Sequence, residues 1–320
     1  MPLLLTEADV QELLPMEKAL ERVEASFLAQ ARGGAINRSR ERIFQSRCSL
    51  HYMAAALPEE KWLGMKIYTI APAAWRFLVL LYDGESGQLL ALLEADHLGR
   101  LRTGAASGVA TKHMARAGAS LVGLIGSGRQ ARTQLEAVAK VRALAGVKVF
   151  SRAEKRRHDF CREMGDRLRL KIEPGESAEA VARFGDIVIT ATSSREPVVR
   201  GEWLRPGTHV NAIGANMPDR REVDDATLAR ASLIAVDTLE QAQEEAGDLI
   251  QGLASLPGGW EGVAELHEIA SGKRRGRTTD QEITLFKSSG IALWDIAVAG
   301  YVYQQALARG KGRQFQLWGE

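Results

Sequence analysis

Leu20, Val23, Phe27 and Leu28 recur at the spacing of one helix face, so the chain opens on amphipathic helix. Thr6 followed by Glu7 marks a helix start, Pro15 suits the first turn of a second, longer helix, and Gly33-Gly34 ends it. From 37 to about 93 the pattern changes to short β-type runs at 48–53, 62–70 and 77–82. Asp83-Gly84 and Ser86-Gly87 supply turn material, and this part reads as an antiparallel sheet. An alanine-rich helix is predicted over 101–117, with Gly118 closing it. Beyond it, strands at 121–125, 147–150, 187–192, 209–213 and 233–236 alternate with helices, including 129–144 and 153–164. Such alternation favours a parallel sheet covered on both faces. A last helix, 291–308, ends at Gly310. The expected class is α/β: a doubly wound parallel sheet over 118–287, with a discontinuous α+β domain from 1–117 completed by 288–320.

The 320 residues are 45% hydrophobic and 26% charged, enough for a core without disulfides. A net charge of +2 leaves little field for nucleic acid or an anionic membrane. The basic run Lys273-Arg274-Arg275-Gly276-Arg277 reads as solvated surface. Cys48 and Cys161 form no CxxC, and the six histidines show no metal-binding spacing. Neither a disulfide framework nor a metal site is expected, and a reducing, cytoplasmic setting fits. No signal peptide or membrane span is read from the pattern.

The strongest local signal is Gly126-Ser127-Gly128-Arg129-Gln130-Ala131, which follows an apolar strand and opens a helix as a GxGxxA dinucleotide fingerprint does. Gly126 permits the tight turn, Gly128 lets backbone N–H groups approach a pyrophosphate, and Ala131 lets helix pack on strand. After the second strand, where an acidic residue would hold a ribose 2′-hydroxyl, the chain has Ser151-Arg152 and then Lys155, Arg156 and Arg157. An arginine fork attracts a 2′-phosphate, so NADP(H) is expected over NAD(H); a solvated basic helix face is the competing explanation. Thr103, Thr192 and Ser193 complete the candidate cofactor-binding set.

With Lys66 in Gly64-Met65-Lys66, Arg102-Thr103-Gly104-Ala105-Ala106, the phosphate loop, the run 214–223 from Gly-Ala-Asn to Glu-Val, and Thr284-Leu285-Phe286-Lys287-Ser288-Ser289-Gly290, the chain resembles the ornithine cyclodeaminase and mu-crystallin family over nearly its whole length. The resemblance implies a Rossmann domain and a second domain that pairs two subunits into a homodimer. It also implies a substrate carboxylate held by two arginines and a lysine, which fall here on Arg38, Lys66 and Arg102, with Arg40 or Arg42 able to replace Arg38 under a small register change. An arginine fork orients such a carboxylate so that the α-carbon faces the nicotinamide. Ornithine cyclodeaminases carry an aspartate where this chain has Asn216, which can neither ionise nor act as a base. The 214–222 stretch is more similar to the ketimine-reductase branch.

The implied activity is NADPH-dependent reduction of cyclic imino acids such as 1-pyrroline-2-carboxylate or 1-piperideine-2-carboxylate. Lys66 or a water is the proton donor, and Asn216 lies near the substrate or the nicotinamide ribose. The alternatives are an amino-acid dehydrogenase or cyclodeaminase acting on an open-chain substrate, and a mu-crystallin-like small-ligand binding protein. His97 is a candidate site residue with a capping or core role as its rival, and Trp75 is expected in the core, at an interface or at the pocket border.

Overall fold

The computed structural model describes residues 1–317. The Thr6 side chain caps the helix Glu7–Leu13 in a reciprocal box with Asp9, as the opening pattern predicts, whereas Pro15 stands at the N-cap position of the helix Met16–Ala31, one residue before its first turn. The chain divides into two compact units, Met1–Arg102 with the chain from Ile291 onward, and Thr103–Gly290.

In the first unit the antiparallel strands Ser49–Leu57, Trp62–Ile70, Trp75–Asp83 and Leu89–Glu94 form the body of an eight-stranded sheet. Leu3–Leu5 joins its edge in parallel with Leu89–Glu94. One face is sealed by the helix Ala292–Arg309, behind which lies Met16–Ala31. Two glycines set how closely the helix approaches. A Cβ on Gly300 would fall 2.1 Å from the Trp62 ring, and one on Gly64 would fall 2.4 Å from Ile296. Phe27 and Trp294 fill the space between the helices edge to face, with ring centroids 5.4 Å apart. On the opposite face Tyr52, Ile67 and Leu78 pair across the strands, as do Ala54, Met65 and Leu80, and these apolar rows stay half-exposed.

The second unit is an all-parallel eight-stranded sheet. Its order runs Ile172–Pro174, Gly146–Phe150, Leu121–Ile125, Ile187–Thr190, His209–Ala212, Ile283–Lys287, Ala231–Val236, Ala264–Glu265. Chain order reverses between Leu121–Ile125 and Ile187–Thr190, the switch point at which open α/β sheets bind ligands. The strand Ile283–Lys287, not foreseen as one, is wholly buried.

The division falls at 102/103 rather than at 117/118, inside the helix Asp96–Met114. Gly104 supplies the reason. A Cβ there would lie 2.4 Å from the Thr133 carbonyl oxygen, so this helix rests directly on the helix Arg129–Val141. Gln134 then donates to the Thr103 carbonyl at 3.1 Å, and Arg142 to that of Thr111 at 2.8 Å. At the other end the unit extends past 287 to Gly290, because Asp237 accepts hydrogen bonds from the Ser288 hydroxyl (3.0 Å) and the Ser289 amide (2.7 Å). Arg277 of the basic run is half-buried and donates to the Met114 carbonyl at 2.8 Å, so it ties backbone together rather than being solvated. Among the described residues no helix is long and apolar enough to cross a membrane.

Candidate active site

The first strand of the parallel sheet runs into the predicted glycine loop. Gly126 has φ +118°, where only glycine is unstrained, and a Cβ there would strike the Ala191 carbonyl oxygen at 2.4 Å. Gly128 caps the helix Arg129–Val141, and a Cβ built on it meets nothing within 4 Å. A helix N-terminus with open space before it is a ready anion cradle. Ala131 is buried against the sheet, Gln130 is half-buried and Arg129 is exposed. The Ser127 hydroxyl donates to that of Ser151 at 2.9 Å, joining the loop to the end of the second strand. There Arg157 lies over the Phe150 ring, 5.4 Å from its centroid, and donates to the Ser151 carbonyl at 2.9 Å. Arg152 and Arg156 stand exposed with no protein partner among the described residues.

Thr192 reaches the same switch point, and its amide and hydroxyl both donate to Glu222 at 2.7 Å. Glu222 also accepts from the Thr190 hydroxyl at 2.8 Å and from the Gly214 amide, so one fully buried carboxylate gathers the ends of two strands. Burial pushes its pKa up, opposed by the nearby Lys287 charge. Lys287 pairs with Asp248 at 2.8 Å, both fully buried, and donates to the Ala215 carbonyl beside Asn216. Asn216 itself is half-buried, Ser193 is exposed and Thr103 is buried. Glu222 and Lys287 lie inside motifs read from the sequence, yet nothing in the pattern announces that they are buried.

The cationic cluster is built in the first unit. Lys66 lies on the helix-covered face of Trp62–Ile70, opposite Met53 and Val79, with 4% of its surface exposed. Its Nζ is 2.9 Å from Asp295 Oδ1, and Arg102 Nε is 3.1 Å from the same oxygen. Gly99 makes room on the helix Asp96–Met114, since a Cβ there would sit 3.1 Å from Lys66 Nζ. Burial and the Arg102 charge bring the Lys66 pKa down to about 8, with Asp295 holding it up. Arg102 lies 5.5 Å from the Trp294 ring centroid and keeps a buried Nη1 with no partner among the described residues.

Arg38 is not brought to this cluster. It is exposed, whereas Arg40 is 5% exposed and its charge also lowers the Lys66 pKa. Alongside, His51, Tyr68 and Phe77 stack across three strands with centroids 4.6 and 5.0 Å apart. Burial, with Arg42 and Arg40 nearby, lowers the His51 pKa to about 4, so the ring is neutral. His97 donates its backbone amide to Glu7, which caps the helix start, and Trp75 is exposed beside Phe44 and Cys48. Asp295 was missed. Its one signal in the sequence is a carboxylate within the apolar run 291–298.

A family model for the ornithine cyclodeaminase/mu-crystallin family matches residues 1–310. The chain belongs to that family. Within it, the alanine dehydrogenase of Archaeoglobus fulgidus is 35% identical over 99% of this chain and 98% of its own length. The Delta(1)-pyrroline-2-carboxylate reductase of Bacillus cereus is 37% identical over 80% of this chain and 81% of its own. The Delta(1)-pyrroline-2-carboxylate reductase of Thermococcus litoralis, solved in complex with NADH and L-proline, superposes with a TM-score of 0.93 at 37% identity. It covers 98% of this chain and 100% of that one. The family therefore contains the two-part α/β architecture seen here.

Proposed function

We propose that the protein is an NADPH-dependent reductase of cyclic imino acids, converting 1-pyrroline-2-carboxylate or 1-piperideine-2-carboxylate to the saturated amino acid. The observation that carries this reading is the buried pair of Lys66 and Arg102 on a single carboxylate, with Arg102 Nη1 unpaired among the described residues and the buried Arg40 charge near enough to lower the Lys66 pKa. Two buried cations sharing one carboxylate oxygen call for a further anion, and the open arginine edge matches a carboxylate. The Tyr68 and Phe77 rings lie 6.0 and 5.7 Å from Lys66 Nζ, which suits ring methylenes beside that carboxylate.

The glycine cradle, open at Gly128, fits a dinucleotide pyrophosphate held by residues 126–131, and Arg152 and Arg156 fit a 2′-phosphate. When bound, the reduced nicotinamide supplies the hydride for the C=N carbon. Arg40 and Arg102 hold the carboxylate, and Lys66 Nζ gives a proton to the imine nitrogen and regains one from solvent. With a pKa of about 8, Lys66 carries that proton at neutral pH and releases it readily. Asn216 stays neutral and offers no counter-charge to a side-chain ammonium, so ornithine deamination is disfavoured. A homodimer in the cytoplasm completes the proposal.

The likeness to alanine dehydrogenase supports a second reading, oxidation of a small open-chain amino acid on the same clamp. The deciding experiment follows NADPH and NADH oxidation with 1-pyrroline-2-carboxylate, against pyruvate plus ammonia. Rapid turnover of the cyclic imine with NADPH, reduced about a hundredfold or more in kcat/KM by Lys66→Met, is expected. Turnover confined to pyruvate plus ammonia would replace this reading with the second one.

A further inference from the structure

Asp295 stands in the first turn of Ala292–Arg309, a helix whose early residues are all buried against the sheet. A leucine would pack there, and a buried carboxylate is strongly destabilising unless it is paired. Asp295 is paired twice through one oxygen, to Lys66 on a strand and to Arg102 on another helix, while its Oδ2 takes no hydrogen bond from the described residues. We propose that Asp295 is a positioning residue of the imino-acid clamp: it engages Nε of Arg102 and one donor of Lys66, leaving Arg102 Nη1 and the other Lys66 donors to the substrate. This rests on the reductase reading above.

The groups around Lys66 make the role measurable. Arg102 faces it from the helix Asp96–Met114, Arg40 from the chain entering Glu41–Phe44, and the Tyr68 ring lies beside it, with neutral His51 stacked behind. Asp295 supplies the negative charge in this set and favours the ammonium, whereas burial and both arginines disfavour it. A donor ammonium is lost as pH rises, so activity is expected to fall above about pH 8. Removing the Asp295 charge moves that fall to lower pH.

The test compares wild type with Asp295→Asn and Asp295→Glu from about pH 6 to about pH 9.5, using NADPH and 1-pyrroline-2-carboxylate, with L-proline binding measured by calorimetry. For Asp295→Asn the expected result is a descending limb about one pH unit lower and kcat down about tenfold. KM and the L-proline Kd should stay within about threefold, because the cations remain. Asp295→Glu keeps the charge but shifts the oxygen, so the limb should return to its wild-type position while kcat stays low. If Asp295→Asn does not fold, the Glu variant decides, and wild-type kcat in it overturns the proposal. An unmoved limb in Asp295→Asn, with only thermal stability reduced, makes Asp295 a packing residue. Wild type inactive on every imino acid removes the reductase reading, and this inference with it.

Discussion

Arg38, Arg40 and Arg42 would share one side of an unbroken strand, so alternation alone cannot choose among them. The chain leaves the ladder between Ile36–Asn37 and Glu41–Phe44, and that break turns Arg40 inward and leaves Arg38 exposed. Arg40→Met is accordingly expected to raise KM for the imino acid about thirtyfold or more, the scale of a lost charge-assisted hydrogen bond, and Arg38→Met to change it less than about threefold. Steady-state kinetics on the two variants reads this directly. Lys66 and Arg102 were legible because they sit in compact motifs, whereas Asp295 was not, since its partners lie 229 and 193 residues away in sequence. His209 offers a second test. It is fully buried between Thr284 (2.9 Å) and Asn211 (3.3 Å), and burial lowers its pKa to about 3. The unfolded chain binds the proton from about pH 6.5 downward and the folded one does not, so stability should fall on acidification below that point. Across about pH 6.5 to 4 the loss is on the order of a few kcal/mol, and His209→Asn should flatten this part of a melting-temperature profile.

Elements whose partners are local were readable, and those completed by distant chain were not. Leu121–Ile125 and the helix beginning at Arg129 fall where strand period and glycine chemistry place them. Ile283–Lys287 escaped because a short strand buried on both faces shows no alternation, and its neighbours are His209–Ala212 and Ala231–Val236. The end of Gly146–Phe150 carries a prediction of its own. Ser151 is held by Ser127 and Arg157, so Arg152 projects from a fixed base. Arg152→Asp should move the NADPH-to-NADH ratio of kcat/KM at least about tenfold toward NADH. An unchanged ratio would leave the basic segment a solvated face.

At the scale of the molecule, the sequence made the discontinuous construction legible but placed its inner boundary fifteen residues late, because the role of Gly104 depends on the approach of a second helix. The half-exposed rows around Ile67 and Met65 give the proposed homodimer a surface. Light scattering should return twice the 34.9 kDa chain mass, and Ile67→Glu should return the monomer. The carboxylate of Glu222 has a consequence for how the protein breathes. Loops at the ligand end of an α/β sheet commonly open first, but the amides of Thr192 and Gly214 end on a group sealed from solvent. Their deuterium uptake should keep pace with the central strands rather than with neighbouring loops, so the freedom a dinucleotide needs to come and go must reside elsewhere in the chain.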